Sequence, residues 1–505
     1  MAAMGLPGTD LNQLRKQAKD WLRRGRSGDT EALALLRQLH PRGGELAADP
    51  SRLRLADAQL TLARAYDFPS WPKLREHLRI VEPWRRNPHR LGERTDPADE
   101  LLRLACLTYG ADDGVRPSRA AAMLAADPEL AGASIFTAAA TGSVSHLRRF
   151  IAADPAAALA EGGPHQWTPL LYLCLSRIPD APPERSSLAC AGRLLDAGAD
   201  ANAGFLWEGL APPFTALTGA FGGGEDRANQ RPHQHANALA RMLLDAGADP
   251  NDGQTLYNRM FEASDEHLHL LFEYGLGRGS GGPWRARLGV RQQTPAEMLA
   301  DQLIWAVEYG RTDRVALLLE MGADPNHLGS GHPTHEGRSA YEWALRTGST
   351  ETASALLAAG ARPPDSGLDP VDQVLAAALA GEVDTVRRSD PELLAKARLR
   401  RPGAVDVAVE LRRPAAVRLL VETGFSVHGD GGTTPLHLAA YEGNLELVRL
   451  LVTLGADPDR SDPAFGSSPV GWAEHAHHDA VADYLRSVSS ARPRSAAPPG
   501  PADPD

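Results

Sequence analysis

The sequence predicts an all-α solenoid built from stacked helix-turn-helix units. Gly-Ala-Asp recurs at residues 198–200, 247–249, 322–324 and 455–457, each time after a leucine-rich segment with helical spacing. The segments between these markers repeat with an underlying period of about 33 residues. Two helices of this length cannot bury enough apolar surface by themselves to offset their chain entropy, so the units are expected to stack on one another.

The clearest unit begins with a threonine-proline pair. Thr434 can cap the first helix through its hydroxyl, and Pro435 suits the first helical position because its missing N–H would have no partner there. Gly443 ends that helix and Asn444 can cap a second one, which has one apolar face and stops at Gly455. The pattern therefore predicts two antiparallel helices followed by a turn.

The run Thr434-Pro435-Leu436-His437-Leu438-Ala439 resembles the T-P-L-H-x-A signature of ankyrin repeats. Thr168-Pro169 and Ser468-Pro469 match it in part. The resemblance covers residues 100–488, about 11 units, and implies an ankyrin-repeat solenoid in which His437 is a structural hydrogen-bonding residue between repeats. The first helices of the units are expected near Leu102, Ser134, Pro169, Ala216, Leu256, Gln302, Ala340, Gln373, Ala404, Pro435 and Pro469.

The rest of the chain divides by composition. Residues 1–80 are predicted to form a helical N-terminal cap, with Ser70 capping its last helix, and residues 81–99 a linker. The proline-rich residues 489–505 are predicted to be a disordered tail. The pattern LADAQ…FPSWPKL in the cap resembles a helical leader of some bacterial ankyrin-like proteins, which implies no activity. Insertions into the repeats are expected near residues 176–187, 221–235 and 276–295.

Charge and cysteine content indicate the cellular setting. Residues 1–95 carry 18 Lys and Arg against 11 Asp and Glu, whereas the whole chain has a net charge of −11, so a basic segment precedes an acidic one. Cys106, Cys174 and Cys190 lie in apolar helical patterns without metal-ligand spacing, so we expect buried, reduced thiols. The N-terminus lacks a signal-peptide core, and no run of about 18 apolar residues occurs. These features predict a cytoplasmic monomer with no membrane segment.

The sequence contains no motif that supports catalysis or cofactor binding. Residues 277–282, GRGSGG, match the dinucleotide-binding pattern G-x-G-x-x-G, but a helical pattern precedes them instead of a strand, which favours a flexible insertion. Two histidine groups could hold a metal such as zinc, although an exposed helix face and a polar loop explain them as well. They are His475 and His478 beside Asp479, and His327, His332 and His335. We therefore expect no catalytic, cofactor-binding or metal-binding residues.

A partner-binding surface is predicted in the first half of the repeats, where the insertions lie. The resemblance implies that partners bind the turns after Gly-Ala-Asp and the first helices, and aromatic residues and arginine are enriched at interface hot spots. The alternative is that the insertions are solvent-filled and that Trp207 packs on the next repeat. Trp305, Trp343 and Trp472 lie in first-helix patterns and are expected in the core. The partner-binding candidates are Phe205, Trp207, Phe214, Arg227, Arg231, Trp284, Arg285 and Arg287.

The leading functional hypothesis is a non-catalytic scaffold or adaptor, not an enzyme, that binds a protein partner on the concave and turn surface of the repeats. The fold supplies a surface and no reaction chemistry, so the partner's identity stays open. In the alternative hypothesis, the basic N-terminal segment binds nucleic acid or an acidic partner while the repeats recruit a second protein. That alternative predicts affinity that falls steeply with salt. The mixed charges of the segment and its few aromatic residues make nucleic acid the less favoured partner and favour a cap that shields the first repeat.

Overall fold

A computed structural model describes residues 11–181, 183–329 and 337–490. These residues form α-helices, short 3₁₀ helices and one small sheet, so the predicted all-α class is confirmed. They divide into two compact units: the first contains the described residues up to 299 and the second those from 300 onward. Across the described ranges, no helix combines the length and apolar character that crossing a bilayer requires. The 3₁₀ helices are Pro50–Arg52, Glu82–Trp84, Pro88–Arg90, Pro128–Gly132, Pro155–Leu159 and Gly289–Arg291.

The N-terminal segment consists of short helices with apolar clusters of their own. Leu14 is buried in one cluster and Trp21 in another, because both lie on the apolar face of the first helix. Ser70 caps the last helix by accepting a hydrogen bond from the Lys73 N–H at 3.4 Å, as predicted. The helices are α1 (Leu11–Arg26), α2 (Thr30–Leu39), α3 (Gly43–Ala48), α4 (Leu55–Ala65) and α5 (Trp71–Val81).

Antiparallel helix pairs follow from residue 97. Ser134 and Thr168 cap first helices through their hydroxyls, which satisfy N–H groups that have no partner within the helix. The insertion predicted near residues 276–295 contains a helix of its own. The helices are α6 (Pro97–Ala105), α7 (Val115–Ala126), α8 (Ile135–Ala140), α9 (Val144–Ala153), α10 (Pro169–Leu175), α11 (Ser187–Asp196), α12 (Ala216–Phe221), α13 (Ala236–Asp245), α14 (Gly253–Met260), α15 (Glu266–Glu273) and α16 (Gly282–Leu288).

A small sheet joins the linker to one of the long turns. Strand β1 (Arg85–Arg86) pairs in parallel with β2 (Gly204–Trp207), which pairs antiparallel with β3 (Phe214–Thr215). The sheet was not predicted. Its sequence signal is the aromatic and aliphatic run of β2, which is typical of a strand that is buried on both faces.

The boundary between the two units falls within α17, and the second unit continues with helix pairs. Its core is a continuous cluster that runs from Val371 to Leu485. The helices are α17 (Pro295–Glu308), α18 (Thr312–Glu320), α19 (Ala340–Arg346), α20 (Thr350–Ala358), α21 (Pro370–Ala380), α22 (Val383–Arg388), α23 (Pro391–Arg400), α24 (Ala404–Glu410), α25 (Pro414–Glu422), α26 (Pro435–Tyr441), α27 (Leu445–Thr453), α28 (Pro469–His475) and α29 (Asp479–Ser490).

Each predicted first-helix position lies in an α-helix or directly before one, but four helices, α6, α14, α17 and α21, begin earlier than expected. α17 starts at Pro295, because Thr294 and Glu297 form a capping box there, and α21 starts at Pro370, behind the cap Asp369. α14 similarly follows the cap Asp252. The predicted boundaries at residues 80 and 99 stay predictions. Of the tail predicted at residues 489–505, the first two residues belong to α29, and those from 491 onward lie outside the described residues.

Polar side chains link consecutive repeats to one another at their turns. Asn326 donates to the carbonyl of Gly360 (3.1 Å) and accepts from the N–H of Arg362 (2.8 Å), so one amide satisfies two backbone groups of the next turn. Asn202 makes the same pair of hydrogen bonds to Gly247 and Asp249 in the first unit. The asparagine after Gly-Ala-Asp is therefore a stacking residue.

Candidate functional site

Three of the aromatic residues predicted to contact a partner lie in the interior of the first unit. Phe205, Phe214 and Trp284 have exposed fractions of 1%, 8% and 5%. The Phe205 ring stacks against the rings of Trp167 and Phe214, with centroids 4.9 and 5.7 Å apart. The prediction for these three is therefore corrected: β2, β3 and α16 fold onto the repeats and remove the rings from water, which stabilises the unit.

Helix α16 holds the segment that follows α5. The Arg287 guanidinium lies 4.7 Å from the ring centroid of Trp84 and 4.9 Å from that of Trp284, and the two indoles meet edge to face at 5.2 Å. The Trp284 N–H donates to the Asn202 carbonyl at 3.0 Å. Residues 277–282, predicted to belong to a flexible insertion, lead directly into this helix. The insertion is therefore a packed clamp on the protein's own N-terminal segment.

Two further contacts join the N-terminal segment and the linker to the insertions. The Arg291 guanidinium lies 3.8 Å from the ring centroid of Phe68. The Trp207 indole N–H donates to the Thr108 carbonyl at 3.0 Å, and its ring stacks on His89 with centroids 4.4 Å apart. Trp207 thus packs on earlier residues of the chain, whereas the alternative expected it to pack on the next repeat.

The second predicted insertion is tied to the repeats by Arg177. Its guanidinium donates to the carbonyls of Cys174 (3.0 Å), Gly219 (2.8 Å) and Arg231 (2.6 Å). Carbonyl groups at helix C-termini carry partial negative charge, so the first two stabilise this cation. The fork of the guanidinium reaches several acceptors at once and fixes the loop against α10 and α12.

The remaining candidate arginines occupy different environments. Arg227 is half-buried, Arg231 is exposed, and Arg285 donates to the Gln292 carbonyl. The Arg231 side chain bends back to the Ala228 carbonyl at 3.1 Å. A contact of these arginines, Arg287 or Trp207 with a partner stays a prediction.

The three cysteines are buried, as predicted, and burial raises the pKa of the Cys106 and Cys190 thiols to about 12. The thiolate is therefore suppressed at neutral pH. In the described ranges no group of three or more His, Cys, Asp or Glu side chains is arranged to hold a metal ion. His332 and His335 of the predicted alternative zinc group lie outside those ranges.

His437 bridges two repeats, as the resemblance implies. Its Nε2–H donates to the Ser467 carbonyl at 3.0 Å, so Nδ1 is the acceptor for the Thr434 hydroxyl at 2.8 Å. The side chain is fully buried, and burial lowers its pKa, which keeps the ring neutral. The Thr-Pro-Leu-His signature therefore couples the cap of α26 to the turn before α28.

That turn is organised by one carboxylate. Asp462 Oδ1 accepts from the N–H groups of Ala464 (2.9 Å) and Phe465 (2.7 Å), and Oδ2 accepts from the Ser467 N–H (3.1 Å) and the Trp472 indole N–H (3.0 Å). Burial opposes ionisation of Asp462, but these hydrogen bonds outweigh it and lower its pKa. The turn is therefore rigid without a hydrophobic core of its own.

An exposed aromatic surface stands on this turn and the neighbouring first helices. Phe465 has an exposed fraction of 78%, although its backbone is fixed by Asp462. Its ring centroid is 6.0 Å from that of Trp472, and the Tyr441 centroid is 5.8 Å from Trp472 on α28. We call Tyr441, Phe465 and Trp472 the Phe465 face. Trp472, expected in the core, is only half-buried, whereas Trp305 and Trp343 are buried as predicted.

Acidic side chains accompany the Phe465 face. Residues 426–485 contain nine Asp and Glu against two Arg. Glu410, at the end of α24, and Asp430 are exposed. Burial, and then the charges of Asp430 and Glu410, raise the pKa of Asp406 to about 7, and burial raises the pKa of Glu410 to about 7 as well, so both groups are partly protonated at neutral pH. The electronegative character of this surface therefore comes mainly from exposed carboxylates such as Asp430 and Asp459.

Phe465 was not among the predicted residues, because the candidates were chosen from the insertions and long turns of the first half of the repeats. The available signal was Asp462-Pro463 in a turn that also contains Phe465. An aspartate in such a turn accepts hydrogen bonds from following N–H groups, so a bulky apolar residue there is held outward instead of being drawn into the core. Its exposure could not be derived from spacing, since it depends on which residues the turn itself contacts.

Comparison with known families and proteins supports the repeat assignment for part of the chain. A model of ankyrin repeats with three copies matches residues 375–489, and a single-repeat model matches residues 303–330. The human ankyrin repeat domain-containing protein 63 is 45% identical over 85 residues, 16% of this chain and 22% of that protein. The rice potassium channel AKT3 is 38% identical over 99 residues, 19% of this chain and 11% of the channel.

The human ARF GTPase-activating protein GIT1 is 43% identical over 58 residues, 12% of this chain and 8% of that protein. The matches thus span less than a quarter of each of these relatives. They come from mammals and a plant, so the resemblance to bacterial proteins gains no support from them. Residues 303–330 and 375–489 thus match models of ankyrin repeats, and the role that such repeats imply is protein–protein interaction.

Proposed function

We propose that the chain is a non-catalytic interaction scaffold and that a protein partner binds the second unit, on the turn before α28 and on the first helices α24, α26 and α28. The observation that carries the proposal is the exposed Phe465 on a turn that Asp462 holds rigid. A large ring outside the core offers apolar area to a partner, and a fixed backbone lowers the entropy lost on binding.

The first unit supports placing the partner on the second unit, because its own aromatic candidates are already engaged. The aromatic residues that were the best candidates by sequence are used within the chain, in the contacts of Trp284 with Trp84 and of Trp207 with His89. We propose that the first unit binds its own N-terminal segment and that the second unit binds the partner. The earlier candidates Arg227 and Arg231 would then have a secondary role.

The alternative function, nucleic-acid binding by the basic N-terminal segment, has weaker support. Many of its cations are paired locally: Arg24 with Asp29 and Glu31, Arg52 with Glu45, and Lys73 with Glu76. Such pairing lowers the number of counterions that binding would release. The exposed Lys16 and Lys19 of α1 remain the best candidates for contact with an anion. A monomer in the reducing cytoplasm stays our proposal for the cellular setting, motivated by the buried thiols.

The proposal is tested by affinity capture from the source cell at low and high salt, read by mass spectrometry. One variant carries Glu410→Arg and Leu438→Arg on the first helices α24 and α26. The control carries Glu446→Arg and Thr453→Arg on the second helix α27, with the same change in charge. Because Leu438 packs against the core and Thr453 is exposed, circular dichroism checks that both variants keep the fold. We expect capture of the same proteins by the wild type at both salts, retention by the control, and loss in the first variant.

Two outcomes contradict the proposal. Loss of capture in the α27 control with retention in the first-helix variant would place the partner on the opposite face. Capture of nucleic acid at low salt alone, unchanged by either variant, would transfer the function to the N-terminal segment.

A further inference from the structure

We propose that the Phe465 face recognises a basic segment of the partner protein, one in which arginine or lysine alternates with apolar residues. This inference rests on the proposed function, since it names the chemistry of the partner at the same surface. Its three rings offer apolar area for the aliphatic part of such a segment and π faces for its cations.

The arrangement of the rings suits a cationic side chain. Phe465 and Tyr441 both meet Trp472 edge to face, with interplanar angles of 66° and 79°. In an edge-to-face pair the edge of one ring contacts one face of the other, so three of the four faces stay uncovered by that contact, against two in a parallel stack. Ring faces carry the negative part of the quadrupole. A guanidinium or ammonium group beside them gains electrostatic attraction in addition to contact area.

Charge favours the same occupant. Residues 426–485 contain nine acids and two arginines. Glu442 pairs with Arg412, and Glu474 and Asp483 pair with Arg486, which leaves six acids against the two arginines. One arginine, Arg449, lies over the Tyr484 ring at 5.3 Å, on the side formed by the second helices. The Asp430 and Asp459 carboxylates are exposed and can attract cations during encounter. An acidic segment would meet repulsion at the same place.

The Phe465 face is also preorganised in the free protein. The Trp472 indole is held by Asp462, and the Phe465 N–H by the same carboxylate, so neither the turn nor the indole has to order on binding. Ordering costs are a main reason that exposed rings give weak binding, and they are reduced here. The Phe465 side chain is therefore the residue whose truncation is expected to matter most.

The test uses the full chain and two fluorescein-labelled peptides of equal length, one with the repeat Leu-Arg-Lys and one with Leu-Glu-Asp. Binding is followed by fluorescence anisotropy at low and moderate salt. We expect saturable binding of the basic peptide alone, weakened about tenfold by Phe465→Ala, as for a hot-spot residue. The matched control is Leu399→Ala on α23, an apolar side chain with an exposed fraction of 85%, for which we expect a change below about twofold. Circular dichroism checks that both variants keep the fold.

The outcomes separate this inference from the proposed function. Equal binding of the two peptides, no binding of the basic one, or equal affinity of wild type and Phe465→Ala would overturn the basic-segment inference. If the first-helix variant nevertheless loses its captured partner, the interaction scaffold stands and only the partner chemistry is wrong. If the basic peptide binds and neither Glu410→Arg with Leu438→Arg nor Phe465→Ala weakens it, both are wrong.

Discussion

The aromatic residues of the two units differ in what surrounds them. In the first unit, Trp284 lies in the insertion at residues 276–295 and Phe205 on strand β2 of a long turn, and each ring is enclosed by other parts of the chain. In the second unit, Phe465 sits in a short turn whose hydrogen bonds close on Asp462 and leave the ring outside. Aromatic residues in both units are candidates for binding by residue type. Whether a ring is enclosed decides if it contacts the rest of the chain or is available to another molecule.

The comparison also explains the role of the insertions. Arg287, Arg291 and Trp207 all contact the N-terminal segment or the linker. An insertion rich in arginine and tryptophan is therefore as well suited to holding a neighbouring segment as to holding a partner, because the same contacts serve both.

The largest expected effect separates the two rings directly. Trp284→Ala removes a buried indole and leaves the Asn202 carbonyl without its donor, so we expect the clamp to lose about 3–5 kcal/mol of stability. Phe465→Ala removes an exposed ring and should cost less than about 0.5 kcal/mol. Native-state hydrogen exchange of α5 and α16, against α26 and α28, measures both. Comparable losses in the two variants would mean that Phe465 is also enclosed.

A second variant tests the rigid turn. Asp462→Ala leaves three backbone N–H groups and the Trp472 indole without their acceptor, so we expect a loss of about 2–3 kcal/mol in the local stability of α28. Asp462→Asn keeps one carbonyl oxygen and should retain part of the stability. Hydrogen exchange of residues 463–472 reports the change. Unaltered protection in Asp462→Ala would show that the turn is held by other contacts.

The acidic surface of the second unit predicts a pH dependence. Burial, with the charges of Asp430 and Glu410, raises the pKa of Asp406 to about 7, above a value of about 3.9 in the unfolded chain. The folded state therefore binds the proton more tightly. The stabilisation is fully present below about pH 4 and is lost as the pH rises through about 7, by about 1–2 kcal/mol. Exchange of α24 between pH 5 and 8, corrected for intrinsic rates, should show this slope. Asp406→Asn should reduce the slope and leave the part due to Glu410, whose pKa burial also raises to about 7.

Within the clamp, the arginine is expected to have a smaller effect than Trp284. Arg287→Met keeps most of the side-chain volume between Trp84 and Trp284 but removes the charge, so we expect a loss of about 1 kcal/mol in the protection of α5. Arg287→Lys keeps the charge and should be intermediate. A Met variant as stable as the wild type would reduce the contact to apolar packing.

The repeats were predictable because capping and turn signals act locally. The clamp and the Phe465 face could not be predicted, since they depend on contacts between residues far apart in the sequence. A Thr-Pro pair such as Thr434-Pro435 starts a helix through its own capping chemistry. The Asn two positions after Gly-Ala-Asp hydrogen-bonds to the turn of the next repeat. No spacing rule places Trp84 beside Trp284, since that pair joins residues 200 positions apart. The capping signals at Thr294 and Asp369 were present in the sequence but were outweighed by the 33-residue period.

Hydroxyl-radical footprinting of the full chain tests the central contrast most directly, since it measures the solvent exposure of each ring. Rates are expressed relative to the same residue in the urea-unfolded chain, which removes differences in intrinsic reactivity. We expect Phe465 to react at nearly its unfolded rate and Phe205 and Trp284 at about a tenth of theirs or less, in keeping with their burial. Modification of Trp284 at nearly its unfolded rate, or protection of Phe465 in the isolated protein, would contradict the account.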